Sequence, residues 1–120
     1  MAAEIRLAGC SNEDHIGDPD APIYEFNLAV ERIEAASEAR RRLPGDFVFT
    51  ARCANILWGR ANPAAVIERL QAYESAGADV VYAPGLANLD SIRSVYNALH
   101  ERVNVVMIIR DKSKLPMALN

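Results

Sequence analysis

Residues Ala8-Gly-Cys-Ser-Asn-Glu-Asp-His-Ile-Gly-Asp-Pro19 decide how the chain is read. An apolar lead-in stops at two adjacent carboxylates, Glu13 and Asp14, and gives way to a loop punctuated by Gly17 and Pro19. A βα unit delivers side chains to the carboxyl end of its strand, where α/β barrels and open α/β sheets both place their active sites. Two roles stay open for the pair at this point. Either both acids sit at such a site, or Asp14 caps a turn and Glu13 is a solvated loop residue.

Working outward, short β-type runs alternate with amphipathic helical stretches, the signature of parallel βαβ units. A first strand is expected over residues 4–10, then a loop through Ile23. A helix follows, in which Phe26, Ala29, Val30, Ile33, Ala36 and Ala39 recur at helical spacing, with residues 31–38 as its charged outer face. Pro44-Gly45 ends that helix. Residues 46–51 form a nearly continuous apolar run suited to a strand buried on both faces, with Arg52 at its carboxyl end. Asn62 as N-cap and Pro63 at the first helical position announce a second helix whose buried stripe is Val66, Ile67, Leu70 and Tyr73, closed by Gly77. A third strand starts at Asp79 and runs to Tyr82 or Ala83, where Pro84-Gly85 stops it. Asn88 or Asp90 starts a third helix containing Ile92, Val95 and Leu99, and a fourth strand spans residues 103–109. Three crossovers of about 30 residues each match βαβ units, which should be right-handed. The expected fold is α/β: four strands and three helices in parallel βαβ units.

Composition bounds the function. The 120 residues are 51% hydrophobic and 24% charged, ordinary for one globular domain. A net charge of -3 without a dense basic patch argues against nucleic acid as a partner. Cys10 and Cys53 sit in different apolar segments with no C-x-x-C and no secretory signal ahead of them, so reduced thiols and a cytoplasmic location are expected. No run approaches the ~20 apolar residues that span a membrane. The expected partners are small molecules or protein.

Single residues carry competing readings. Arg52 is either an ion-pair partner of a neighbouring loop or an anion site, for which its fork binds carboxylate bidentately. His15 is a candidate acid or base by the range in which imidazoles titrate, although a lone loop histidine is commonly just solvated. His100 reads as a helix C-terminal cap. Cys10 and Cys53 read as small core residues rather than nucleophiles, and Trp58 as packing over a sheet mouth or at a subunit contact. Lys112 and Lys114 belong to a solvated tail.

Together these segments resemble the isocitrate lyase/phosphoenolpyruvate mutase superfamily, in particular its mutase-like branch. The carriers are Gly9-Cys10-Ser11-Asn12-Glu13-Asp14, Phe47-Val48-Phe49-Thr50-Ala51-Arg52, Arg69-Leu70-Gln71-Ala72-Tyr73, Ala76-Gly77-Ala78-Asp79, Tyr82-Ala83-Pro84-Gly85 and Val103-Asn104-Val105. Their order and spacing are specific, whereas each alone would be weak. The resemblance implies part of a TIM (β/α)8 barrel, roughly its strands four to seven, over residues 1–109, followed by a divergent tail at 110–120. It implies Mg2+ as cofactor, supported by Glu13 through water, with the metal-binding aspartates of earlier strands absent from this sequence. It implies that Arg52 grips a substrate carboxylate or phosphonyl group and that Asn104 donates an amide to it, although a buried structural Asn is an equal reading. The implied reaction makes or breaks C–C or P–C bonds of α-keto or related carboxylic acids through a Mg-stabilised enolate.

Departures refine these expectations. The loop 15–20 reads His-Ile-Gly-Asp-Pro-Asp, without the cysteine used by lyase members, which disfavours methylisocitrate lyase activity. Ala54 stands where an acid is usual, and Gly85 follows Pro84 where the lyases have Glu. Four strands leave two sheet edges and an inner face open, so a homo-oligomer is expected. The alternative to an enzyme is a catalytically inactive fragment that folds only by self-association or with the missing barrel strands.

Overall fold

The computed structural model of the chain describes residues 7–60, 62–100 and 102–104, and within them strands and helices alternate. Strands β1 (Gly9–Glu13), β2 (Val48–Arg52), β3 (Val80–Tyr82) and β4 (Arg102–Asn104) pair in parallel in the order β1-β2-β3-β4. Helices α1 (Phe26–Arg41), α2 (Pro63–Ser75) and α3 (Leu89–Asn97) form the three crossovers. Sequential parallel strands with a helix in every connection are the wiring of part of a TIM barrel, as expected from the sequence.

Local chemistry sets the helix boundaries. Asn62 Oδ1 accepts the amides of Ala64 and Ala65 at 3.0 and 3.3 Å, and Pro63 fills the first helical position of α2. Asn88, not Asp90, caps α3 by accepting the Ser91 amide at 2.8 Å. Glu25 caps α1 through Oε2, which takes the Asn27 and Leu28 amides. After α2 the chain reverses at Gly77, whose φ of +109° lies where side chains are strained. A Cβ at Gly77 would sit 3.0 Å from the Ser37 Cβ, so this turn presses directly on α1.

The core lies between the helices and one face of the sheet. Phe49, Ala51 and Val81 alternate onto that face and meet Ala29 and Ile33 of α1, Val66, Leu70 and Tyr73 of α2, and Val95 of α3. Asp79, just before β3, ties three elements together: its Oδ2 accepts the Phe49 amide at 2.8 Å and Arg40 Nε at 3.0 Å.

Several boundaries differ from the sequence expectation. The first strand is Gly9–Glu13 rather than residues 4–10; Leu7 and Ala8 precede it, and residues 4–6 lie outside the described residues. Apolarity marked the wrong end because β1 is an edge strand with an uncovered face, where Ser11 and Glu13 are tolerated. Val48 and Thr50 of β2 face that same uncovered side, so β2 is covered on one face only. On α1 the buried stripe is Ala29, Ile33 and Ser37; Ala39 is exposed, because it follows Ile33 by six residues and so lies about 120° around the helix. Ser37 takes its place, small enough to meet Gly77. His100 is no helix cap: α3 ends at Asn97, and the His100 backbone amide donates to Glu74 Oε2 at 2.6 Å. Of the fourth strand, Arg102–Asn104 are described; residues 105–109 and the tail 110–120, with Lys112 and Lys114, lie outside the described residues.

Candidate functional site

Ladder register aligns Glu13, Arg52, Tyr82 and Asn104 as one row across the carboxyl ends of the four strands. Cross-strand partners share a face, and this face is opposite the one that Phe49, Ala51 and Val81 bury under the helices. Ser11, Thr50, Val80 and Arg102 form the next row down. An open concavity of about 490 Å3 is lined by Ser11, Thr50, Arg52, Tyr82 and Asn104 together with the start of β1. The structure thus brings the three sequence-predicted residues Glu13, Arg52 and Asn104 into one row and inserts Tyr82 between two of them.

Arg52 is the central charge of that row. Its Nη1 lies 3.8 Å from Glu13 Oε2, a loose pair in which the side chains are 33% and 44% exposed. Its guanidinium carbon stands 5.4 Å from the centre of the Tyr82 ring. Arg52 Nε is buried and has no hydrogen-bond partner among the described residues. Its outer nitrogens Nη1 and Nη2 make no hydrogen bond among the described residues, and a planar carboxylate or a phosphonyl group is the chemistry that fits them. Asn104 is exposed at the row's end among the described residues.

The second acid of the pair does something else. Asp14 follows Glu13 by one residue, points to the helix side, and is 3% exposed. Its Oδ1 accepts the Ala54 amide at 2.7 Å, and its Oδ2 accepts the Tyr73 hydroxyl at 2.5 Å and Arg69 Nη1 at 3.2 Å. Arg69 Nη1 also donates to Tyr73 Oη, and Nη2 to the Tyr24 carbonyl. Burial, then the Asp14 charge, pushes the Tyr73 hydroxyl well above its ordinary range, so it remains a donor. This triad pins α2 to the ends of β1 and β2. Arg69 and Tyr73 are four apart in a helix, the spacing that puts them on one face, yet in the sequence Arg69 marked only a resemblance and Tyr73 only an apolar stripe.

Cys53 lies next to the triad with 0% exposure, and its thiol donates to Asn55 Oδ1 at 3.5 Å. Burial, with the Asp14 charge second, pushes its pKa from 9.0 to about 12, so it is a core thiol and not a nucleophile. Cys10 is exposed.

Two loops meet beyond the carboxyl ends of β1 and β2. His15 stacks on Trp58 with ring centres 4.4 Å apart and planes 13° apart, so it is not a freely solvated loop residue. The loop it opens closes on itself through the His15–Ile23 bridge and the Ile16 amide to the Pro22 carbonyl. Trp58 ends a short 3-10 turn, Ile56–Trp58, which composition did not reveal. Gly85 packs beneath that turn at φ +100°, where a Cβ would be 2.7 Å from Ile56 Cγ2.

Among the described residues no three His, Cys, Asp or Glu side chains converge on a point that could hold a metal ion. Glu13 is the one acid of the row and leans on a cation. The described residues therefore do not fit a Mg2+ site of their own. Nor, among them, is any helix long and apolar enough to cross a membrane.

Comparison with known proteins agrees with this geometry. The family model for phosphoenolpyruvate phosphomutase matches residues 1–118. A putative lyase/mutase from Burkholderia cenocepacia J2315 is 49% identical over 92% of this chain and 40% of its own, with a TM-score of 0.88. A putative phosphonomutase from the same organism is 27% identical over 94% of this chain and 49% of its own, TM-score 0.79. A phosphonopyruvate hydrolase, solved in complex with oxalate and Mg++, is 25% identical over 88% of this chain and 37% of its own, TM-score 0.68. No curated protein matches. The chain spans less than half the length of each of these solved relatives. Carrying the family's strand ends on a parallel sheet of the same shape, the chain belongs to the phosphoenolpyruvate phosphomutase family, within the superfamily shared with isocitrate lyases.

Proposed function

We propose that this chain supplies the anion-binding part of an active site that makes or breaks C–C or P–C bonds of α-keto or related carboxylic acids. The observation that carries the reading is Arg52: a half-buried guanidinium at a strand's carboxyl end, lining an open concavity, with its outer nitrogens engaged only by a loose pair at 3.8 Å. Arg52 binds the substrate carboxylate or phosphonyl group, and Asn104 offers an amide from the end of the same row. Glu13 holds the guanidinium from the other side. The phosphonopyruvate hydrolase solved in complex with oxalate, a planar dianion resembling a pyruvate enolate, supports this substrate class. A divalent cation, were it held by carboxylates from other strands, would supply charge stabilisation beside the anion that Arg52 binds. The carboxylates that would hold the ion are not among the described residues, where Glu13 could support it only through water. The loop 15–20 offers no cysteine, and Gly85 no acid, so the mutase-like branch fits better than the lyases.

The lack of converging metal ligands among the described residues favours one second reading, a catalytically silent chain that folds with further barrel strands or with copies of itself. A thermal melt with and without Mg2+ plus oxalate separates the two. A rise in Tm that needs oxalate and disappears in Arg52→Ala is expected from a working anion site, since a ligand bound only by the native state must stabilise it. A cooperative melt that oxalate leaves unmoved would refute the site and leave the silent reading. The absence of any cooperative melt would show that the chain requires other strands to fold.

A further inference from the structure

We propose that Tyr82 is a positioning residue: its ring face fixes the Arg52 guanidinium so that the arginine's free donors meet the substrate anion in one orientation. This rests on the reading of Arg52 as the anion anchor. Arginine's long side chain has much rotamer freedom to lose, and a partly exposed ion pair at 3.8 Å is too loose to remove it. The Tyr82 ring, 5.4 Å from the guanidinium carbon, supplies the second restraint.

The kind of restraint matters. A carboxylate or carbonyl would hold the guanidinium by occupying its N–H groups. An aromatic face attracts the cation through its quadrupole and leaves the donors unspent. Arg69 shows the contrast in the same chain: its donors are consumed by Asp14, Tyr73 and the Tyr24 carbonyl, and it is a structural residue. Arg52 has its outer nitrogens engaged only by the 3.8 Å pair to Glu13. Tyr82 is itself held on a rigid element, since its carbonyl accepts the Cys53 amide at 2.8 Å and its strand pairs on both sides. Its hydroxyl makes no hydrogen bond among the described residues, so the ring, not the hydroxyl, is the part in use.

Calorimetric titration of the full chain with oxalate in Mg2+ buffer tests this with Arg52→Gln, Tyr82→Phe, Tyr82→Leu and Tyr82→Met. Tyr82→Phe should bind as the parent does, while the Leu and Met variants should bind roughly three- to tenfold more weakly. Combining Tyr82→Leu with Arg52→Gln should cost nothing beyond Arg52→Gln alone. A second readout is the NMR resonance of Arg52 Nε–H, assigned by its loss in Arg52→Gln: the ring current should displace it in the parent and in Tyr82→Phe, and not in the Leu or Met variants. Should one aliphatic variant fail to fold, the other carries the comparison. Unchanged affinity in Leu and Met, with Arg52→Gln weakened, overturns the positioning role and spares the anion site. An equal loss in Tyr82→Phe overturns it in favour of a direct hydroxyl contact. Indifference of oxalate binding to Arg52→Gln, or no binding by the parent, contradicts the anion site and the Tyr82 role with it.

Discussion

Replacing Asp14 with Asn should destabilise the chain far more than replacing its neighbour Glu13 with Gln. Asp14 accepts three hydrogen bonds at 2.5, 2.7 and 3.2 Å in a site where its side chain is 2% exposed. Asn keeps the acceptor that meets the Ala54 amide, but turns an N–H2 group toward two donors, Tyr73 Oη and Arg69 Nη1. Tyrosine can turn and accept; arginine cannot. Arg69, 12% exposed, would retain the Tyr24 carbonyl and lose its counter-charge. Stripping one partner from a buried ion pair costs about 3–5 kcal/mol, and the surviving carbonyl bond lowers this to about 2–4 kcal/mol. That is a large share of the ~5–15 kcal/mol that holds a domain together. Glu13→Gln breaks only the loose, exposed pair to Arg52, so a change within about 0.5 kcal/mol is expected. Urea unfolding followed by circular dichroism reads both, with equal slopes confirming the same unfolding. A loss below about 0.5 kcal/mol in Asp14→Asn, or losses equal in the two variants, would refute the division of labour between the adjacent acids.

Two further outcomes follow from the geometry. Gly77→Ala should cost about 2 kcal/mol in the same urea assay, from a φ of +109° and a Cβ 3.0 Å from the Ser37 Cβ, with Ser37→Gly recovering the steric part; no loss would mean the turn is not strained. Cys53 is raised from 9.0 to about 12, so its contribution is complete below pH 9 and drains away as the pH climbs toward 12. Stability should therefore fall above pH 9 by up to about 1.4 kcal/mol per pH unit, and Cys53→Ala should flatten the span from pH 9 to 10; an unchanged slope there would exclude the thiol as its source.

The wiring of the fold was legible because punctuation and period agree along most of the chain. Asn62-Pro63, Gly77 and Pro84-Gly85 bound elements whose apolar spacing already named them. β1 was misplaced because an edge strand with an uncovered face need not be apolar, so hydrophobicity pointed upstream of it. The row of Glu13, Arg52 and Asn104 is partly legible: Arg52 stands at the end of an expected strand, whereas Glu13 lies beyond the expected first strand and Asn104 inside the fourth, so the role of Asn104 comes from the resemblance alone. Tyr82 reads from the sequence only as a strand end and part of the resemblance, because a tyrosine closing an apolar strand looks like packing. The split between Glu13 and Asp14 was hidden for another reason. Two consecutive residues in extended chain face opposite ways, but which one turns toward the helices depends on a register that only the Arg69–Tyr73 pair, 55 and 59 residues downstream of Asp14, makes visible. The His15–Trp58 stack joins loops from two different βα units, a contact with no local signal.

The most direct measurement is a crystal structure of the chain grown with oxalate. The account predicts oxalate in the concavity at the strand ends, with two of its oxygens on the Arg52 guanidinium, the Tyr82 ring still beneath that group and Asn104 within reach. Oxalate bound away from Arg52, or a concavity that stays free of it at saturating concentration while Arg52 remains on Glu13, would contradict the claim that this row of residues is an anion site.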